Sequence, residues 1–219
     1  MEIFISYSHL DKNLAGEVKS NLESICLLKA FLAHEDILPS TEWLDEILKQ
    51  LDICHIFIPI LTENFDKSDW TTQEAGIAIA GKKLIIPFKF SVDPRGFLSR
   101  WQAIPISDES QISRACYQIR PIIANTPIVG DLFKDAVIKK FGESGSFDEA
   151  ANEADNLLMY EDLYTPEQIN TIIKNVIKNN QIHLPRRVKP KLRHLIDKYK
   201  DRIDSTLYDN FDEAIRRML

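Results

Sequence analysis

The stretch Ser68-Asp69-Trp70-Thr71-Thr72-Gln73-Glu74 opens a predicted helix and places one carboxylate, that of Glu74, in its first turns. Two interpretations of Glu74 are open from the stretch alone. Thr71 and Glu74 have the spacing of a capping box, in which the hydroxyl and the carboxylate bind backbone N–H groups at the helix start. Alternatively, Glu74 faces a cleft and acts on a ligand. The chain on either side decides between the two.

Short apolar runs and helical patterns alternate around this stretch. The predicted strands are residues 3–5, 27–33, 53–61, 84–88 and 103–106, and the predicted helices are 11–25, 43–51, 70–80 and 108–123. Near-continuous apolar strands that alternate with amphipathic helices are typical of a parallel sheet covered by helices. This domain is expected to span residues 1–125.

Polar residues and glycine mark the expected helix ends. Asp11 is a predicted N-cap of the first helix, and either Ser40 or Thr41 is the predicted N-cap of the second. Gly81 is predicted to end the helix over 70–80 in a left-handed conformation. The segment 62–67 is predicted to be a loop.

Right-handed crossovers leave few topologies for five strand–helix units, and a flavodoxin-like α/β sheet with the order 2-1-3-4-5 is the natural choice. Its switch point lies between strands one and three, and ligands bind there, outside the carboxyl ends of the strands. The loop after strand one begins at Ser6, and the loop after strand three leads to Glu74. We therefore expect Glu74 to lie next to Tyr7 and Ser8.

Composition excludes several classes of function. The chain has 219 residues, of which 44% are hydrophobic, and a net charge of -6, which argues against binding to nucleic acid or to anionic membranes. Its three cysteines form no CxxC pair, so neither a disulfide framework nor a zinc site is expected. We expect no signal peptide, no membrane span and a cytoplasmic location. No metal ligand cluster and no glycine-rich phosphate loop is found, which disfavours a hydride-transfer enzyme.

From residue 130 to residue 219 the pattern indicates a small all-α module of four to five helices. Ser146 with Glu149, and Thr165 followed by Pro166 and Gln168, predict two helix starts. Residues 143–167 are rich in acid, whereas 186–202 are rich in arginine and lysine. These charges form either solvated helix faces or a self-association surface on which opposite patches pair.

Three segments together resemble a Toll/interleukin-1 receptor homology (TIR) domain of the bacterial type. They are Phe4-Ile5-Ser6-Tyr7-Ser8, the polar loop around Glu35-Asp36 and Pro39, and Ser68-Asp69-Trp70-x-x-x-Glu74. The resemblance covers roughly the first 125 residues. It implies either cleavage of the nicotinamide–ribose bond of NAD+ or signalling by TIR–TIR assembly without chemistry.

In the catalytic branch of this family, the essential residue is the glutamate of the W-x-x-x-E segment, here Glu74. The resemblance then implies an NAD+ glycohydrolase or cyclase that self-associates and serves bacterial antiphage defence or signalling. NAD+ is its substrate, and no cofactor is implied. The chemistry suits the residue, because a carboxylate stabilises the oxocarbenium character that builds up at the ribose, and nicotinamide leaves as a neutral base.

Residues near the first strand are further candidates for substrate binding. Phe4 and Tyr7 are expected to flank an aromatic base, with core packing as the alternative for Phe4. Ser6, Ser8 and His9 are expected to touch phosphate or ribose, with hydrogen bonding at the strand end as the alternative. Some catalytic relatives carry basic residues at the positions of Ser8 and His9, so this chain lacks their strong grip on phosphate.

The remaining candidates lie in the loop after strand two and on two helices. The loop of residues 34–41 resembles the family segment that gates the cleft and contacts a neighbouring subunit. Two candidates lie in this loop, Asp36 and Leu38. The alternative for Asp36 is a role in shaping the loop. Trp43 is expected to stack on a base or to pack in the core. Trp70 is also a candidate for the site. Its expected role is packing that fixes the start of the Glu74 helix.

Two other functions stay open. A non-enzymatic TIR scaffold would act through the gating loop and the helical module. A flavodoxin-type nucleotide-binding or receiver domain is less well supported, because Ile60-Leu61-Thr62 stand where a receiver has its phosphoacceptor aspartate.

Overall fold

The computed structural model describes residues 1–32 and 43–216, and the chain divides into two compact units, Met1–Val129 and Gly130–Leu219. The first unit contains these helices and strands in order: β1 (Glu2–Ser6), α1 (Lys12–Cys26), β2 (Lys29–Leu32), α2 (Trp43–Ile53), β3 (Ile56–Leu61), α3 (Glu63–Asp66), α4 (Asp69–Ala80), β4 (Leu84–Ile85), β5 (Phe88–Lys89), β6 (Ile104–Pro105) and α5 (Ile112–Ala124). Short 3-10 turns lie at His9–Asp11, Gly96–Arg100 and Glu109–Gln111.

The sheet is parallel, with the strand order β2-β1-β3-β5-β6, and β4 also pairs with β3. The strands β4 and β5 are two pieces of the predicted fourth strand. They are separated by Ile86 and Pro87, and a proline has no N–H to donate to the ladder. Counted as one strand, the two pieces give the predicted order 2-1-3-4-5, which is thereby confirmed.

The core lies on both faces of the central strands. Phe4 and Phe57 are paired across β1 and β3, and both pack with Ile47 and Leu51 of α2 and with Ala78 of α4. Their neighbours along each strand point to the opposite face and are also fully buried. The helices α1 and α5 contact each other, and α1 contacts β2. This double burial explains why the strands read as continuous apolar runs.

Several expected boundaries were wrong. The helix α2 continues through Ile53, so β3 begins at Ile56 rather than at residue 53. The strand expected over 27–33 is Lys29–Leu32 within the described residues, because Leu27 ends α1 in the left-handed region at φ 57°. Gly81 has φ -74°, and the left-handed residue is Lys82 at φ 54°.

Two further expectations concern helix starts and loops. The segment 62–67, predicted to be a loop, contains the one-turn helix α3. The predicted N-cap at Ser40 or Thr41 lies outside the described residues.

From Val129 onward the described chain is helical. It contains α6 (Val129–Gly142), α7 (Phe147–Leu158), α8 (Pro166–Lys178), α9 (Asn180–His183), α10 (Lys189–Asp197) and α11 (Ser205–Arg216). Both predicted helix starts are confirmed. Ser146 accepts a hydrogen bond from the N–H of Glu149, and Thr165 and Gln168 form a full capping box with Pro166 at the first position. These six helices exceed the four to five expected, and one of them has only four residues.

Amide side chains of α8 join it to α6. Gln168, Asn175 and Asn179 donate hydrogen bonds to the backbone carbonyls of Asp131, Ile138 and Gly142, at 3.3, 3.3 and 3.1 Å. Each donor lies 37 residues after its acceptor, so the two helices run parallel in register. Gly142 permits the close approach, because a Cβ atom there would meet the Asn175 amide at 2.5 Å.

The acidic and basic segments of this unit pair with each other. Lys191 of α10 lies 2.6 Å from Asp155 of α7 and also donates to the carbonyl of Ala151. Ion pairs between the same two segments also join Arg187 with Asp148, and Lys198 with Glu161 and Asp162. A hydrogen bond joins His194 with Glu161. The opposite charges thus meet within one chain through side chains that are mostly half-exposed or exposed, and self-association through these segments stays a prediction.

Replacing Gly142 by Ala is expected to destabilise the helical unit, because the added Cβ atom would lie 2.5 Å from Nδ2 of Asn175. The displaced amide loses its bond to the carbonyl of Ile138, which lowers the free energy of unfolding by about 1–2 kcal/mol. Urea denaturation followed by circular dichroism measures this change.

Two controls isolate the contact. In an Asn175→Ala background, Gly142→Ala is expected to stabilise by up to about 1 kcal/mol through helix propensity. Gly16→Ala in α1 is expected to behave likewise, because no described heavy atom lies within 4 Å of the added Cβ. If Gly142→Ala changes the free energy of unfolding equally with and without the Asn175 side chain, the contact with Asn175 is not the cause of the change.

Candidate functional site

The helix α4 begins at Asp69, and Glu74 lies in its second turn. Thr71 donates its hydroxyl hydrogen to the carbonyls of Phe65 and Ser68, both at 2.8 Å, instead of accepting from the helix start. The carboxylate of Glu74 accepts a hydrogen bond from Oγ of Ser6 at 2.6 Å. The capping-box interpretation of Thr71 and Glu74 is therefore wrong, because Thr71 donates to carbonyl groups instead of accepting from a backbone N–H, and Glu74 accepts from a side chain of β1.

The partner of Glu74 is the last residue of β1. Ser6 is aligned with Pro59 of β3, and α4 packs against both of these strands. The parallel sheet thus brings a residue from the chain's first strand to a helix that begins more than sixty residues later. The strand order predicted that Glu74 would lie next to Tyr7 and Ser8, and the structure gives the residue before them, Ser6, as its hydrogen-bond partner.

Burial controls the charge of Glu74. Its side chain is 3% exposed and Ser6 is fully buried. Desolvation disfavours the ionised carboxylate and raises the pKa of Glu74 from 4.5 to about 7, while the hydrogen bond from Ser6 acts in the opposite direction. Near neutral pH, Glu74 is therefore partly protonated. Carboxyl groups with a pKa in this range are typical of functional sites.

The loop after β1 turns away from the sheet through buried residues. Tyr7 and Ser8 are 2% and 3% exposed, whereas His9 is exposed. The backbone carbonyl of Ser8 accepts from the N–H of Asp11, which closes the 3-10 turn. Of the candidates expected to touch phosphate or ribose here, His9 is the exposed one, and Ser6 is bound to Glu74.

Asp11 joins the segment that follows β1 to the segment that follows β3. Its carboxylate accepts hydrogen bonds from Oγ1 of Thr62 at 2.6 Å and from Nδ2 of Asn64 at 2.8 Å. Thr62 also caps α3 by accepting from the N–H of Phe65. The sequence predicted Asp11 only as the N-cap of the first helix. Asp11 does occupy this position in α1, but its side chain makes no cap hydrogen bond. Its position in the loop after strand one, opposite polar residues after strand three, was the signal for this link.

The aromatic candidates divide into a core residue and a pair. Phe4 is fully buried, with ring centroids 5.8 Å from Phe57 and 5.5 Å from Phe31, so the structure gives it the core-packing role rather than contact with a base. Trp43 and Trp70 pack edge to face with centroids 4.5 Å apart. This pair ties the start of α4 to the start of α2, which is the packing expected of Trp70.

The candidates Asp36 and Leu38, and the whole expected gating loop of residues 34–41, lie outside the described residues. Across 1–32 and 43–216, no group of three or more His, Cys, Asp or Glu side chains is placed to hold a metal ion. In the same part of the chain, every helix is too short or too polar to cross a lipid bilayer.

Comparison with protein-family models gives a match within the first unit. A family model described as TIR domain matches residues 3–118, which is more than half of the chain. The crystal structure of the TIR domain of the Toll-related receptor TRR-2 from Hydra magnipapillata is similar, with 16% sequence identity and a TM-score of 0.43, over 61% of this chain and 96% of that chain. Comparison with curated protein sequences gives no significant match.

The raised pKa of Glu74 predicts a pH-dependent stability. Between the unfolded value near 4.5 and the folded value near 7, the folded protein binds the extra proton, so the contribution of Glu74 to stability falls as pH rises through this window. The fall is expected to reach about 3 kcal/mol and to level off above about pH 8.

Residue 74 cannot ionise in the variant Glu74→Gln, so this variant serves as the reference. The contributions of all other titrating groups to the pH dependence of stability cancel in the comparison. We expect the free energy of unfolding of Glu74→Gln, relative to the unmodified protein, to increase between about pH 5 and about pH 8. Urea denaturation at both pH values measures the difference. A difference that does not change with pH would contradict a folded pKa near 7.

Proposed function

The chain belongs to the TIR domain family, and we propose that it cleaves the nicotinamide–ribose bond of NAD+ with Glu74 as the catalytic carboxylate. The observation that carries this proposal is the position of Glu74. It is buried at the carboxyl end of β1, bound to Ser6 and not used to cap its own helix. In folds of this topology, ligands bind at this edge of the sheet.

The proposed reaction needs one carboxylate. The bond between the ribose C1′ atom and the nicotinamide nitrogen breaks, and nicotinamide leaves with the electron pair as a neutral base. Positive charge develops on the ribose, and the ionised Glu74 stabilises it. A water molecule then adds to C1′ and loses a proton, which gives ADP-ribose. Attack by a nucleophilic atom of the ADP-ribose moiety itself gives a cyclic isomer instead.

The environment of Glu74 suits this role. A carboxylate in a buried site interacts with a developing cation more strongly than one in water, because the local dielectric is low. The hydroxyl of Ser6 donates to the carboxylate and so favours its ionised form. Thr62 and Asn64 hold Asp11 and thereby fix the loop after β1 beside the site.

Access to Glu74 requires movement, because its side chain is 3% exposed. We assign the gating to the segment 34–41, which the family resemblance identifies with the cleft loop. We also propose that the protein self-associates through its TIR domain and acts in the cytoplasm, in bacterial signalling or antiviral defence. In the alternative, a TIR scaffold without chemistry, the same assembly would occur and NAD+ would stay intact.

Concentrated protein with a crowding agent is expected to release nicotinamide from NAD+, measured by liquid chromatography. Glu74→Gln is expected to lower the rate by about 10²-fold or more, because the stabilising charge is lost. Glu63→Gln is the control, because Glu63 is an exposed carboxylate near the same edge of the sheet and 3.8 Å from Lys67. Nicotinamide release that Glu74→Gln leaves unchanged, or no release at all, would favour the scaffold.

The pH profile gives a second readout. The rate is expected to rise with pH through about 7 as Glu74 ionises. Ser6→Ala removes the hydrogen bond that favours ionisation, so its profile is expected to shift to higher pH. A profile with the same midpoint in both proteins would show that the titrating group is not Glu74.

A further inference from the structure

A concave region lies on the side of α4 that faces away from Glu74. Thr72 and Gly76 each stand two residues from Glu74, which places them about 200° around the helix. They line a cavity of about 650 Å³ between α4 and the 3-10 turn at Gly96–Arg100. This volume lies within the range of roughly 300–1,000 Å³ that is typical of small-molecule sites.

The floor of the cavity is apolar. Leu61 at the end of β3, Phe65 of α3 and Leu98 of the 3-10 turn line it, and each is at most 5% exposed. Phe97 stands at the wall with 75% of its surface exposed. A large aromatic ring presented to water beside a buried apolar floor is an arrangement that favours an aromatic ligand.

Small residues keep the cavity open. Gly76 is one wall, and a Cβ atom added there would have no described heavy atom within 4 Å. Gly96 has φ +54°, a conformation that favours glycine, and it turns the chain so that Phe97 and Leu98 follow directly. The opening is therefore built into the local sequence.

An exposed cation, Arg95, lines the cavity. Nη1 of Arg95 is 3.0 Å from Oδ2 of Asp66, and 74% of the Arg95 side chain is exposed. Both residues line the cavity. A guanidinium group has five N–H donors in a planar fork, so an arginine oriented by one carboxylate still presents donors to a second acceptor.

We propose that this cavity binds a small aromatic ligand that carries an anionic group at one edge. The rings lie on the floor and against Phe97, and the anionic group accepts hydrogen bonds from Arg95. This site shares no residue with the Glu74 site, and its occupancy does not depend on the proposed reaction.

The test uses a matched pair of fluorescent probes on the full chain: 8-anilinonaphthalene-1-sulfonate, and N-phenyl-1-naphthylamine, which has the same rings without the sulfonate. Both are expected to bind saturably, with an increase in fluorescence. Gly76→Leu fills the cavity and is expected to weaken both probes at least about tenfold, whereas Gly16→Leu, at a glycine of α1 with equal free space, leaves both unchanged.

Two further variants separate the parts of the site. Arg95→Gln is expected to weaken the sulfonate probe by about fivefold to tenfold and to leave the uncharged probe within about twofold. Phe97→Ala removes an exposed ring, so it preserves the fold and is expected to weaken both probes. Far-UV circular dichroism confirms that each variant is folded.

Absence of saturable binding would overturn the proposal, as would binding that survives both Gly76→Leu and Phe97→Ala. Equal loss of both probes in Arg95→Gln would overturn the anionic group as part of the ligand.

Discussion

The hydrogen bond from Ser6 to Glu74 is the interaction that holds the buried carboxyl group of the first unit in place. At 2.6 Å it connects the end of the first strand to a helix 68 residues later in the chain. A hydrogen-bond partner offsets part of the cost of burying a carboxyl group, whereas a buried carboxyl group without a partner carries the full desolvation penalty. The sheet order makes the contact possible, because only a strand next to β3 delivers its carboxyl end to α4. Both the burial of Glu74 and its role in the proposed reaction involve this bond.

The sequence contains enough to predict the sheet and the neighbourhood of Glu74, because both follow from long-range rules. Buried parallel strands need continuous apolar runs, and the strand order then dictates which loops are neighbours. Local rules failed where a tertiary partner competed with them. Thr71 and Glu74 fit a capping box by spacing, yet the carbonyl of Phe65 and the hydroxyl of Ser6 hold them instead. Asp11 occupies the predicted N-cap position of α1, but its side chain accepts hydrogen bonds from Thr62 and Asn64 instead of from the helix start.

Other differences come from the backbone. Gly81 was the expected left-handed residue, and the chain places Lys82 there instead, one position later. The break between β4 and β5 at Pro87 follows from its missing N–H, and the proline in the predicted strand 84–88 was the sequence signal for it. The two charged segments of the helical unit could not be interpreted from composition, because composition does not show that α7 and α10 are neighbours. Their pairing is mostly at the surface and contributes little stability for each pair.

The constant offset between α6 and α8 has an evolutionary consequence. A residue inserted inside either helix, between these contacts, would turn the following side chains by about 100° and break the match. A residue inserted in a loop between the two helices changes the offset and leaves the contacts in place. The helical unit is therefore expected to tolerate changes of loop length between α6 and α8 but not changes of length within them.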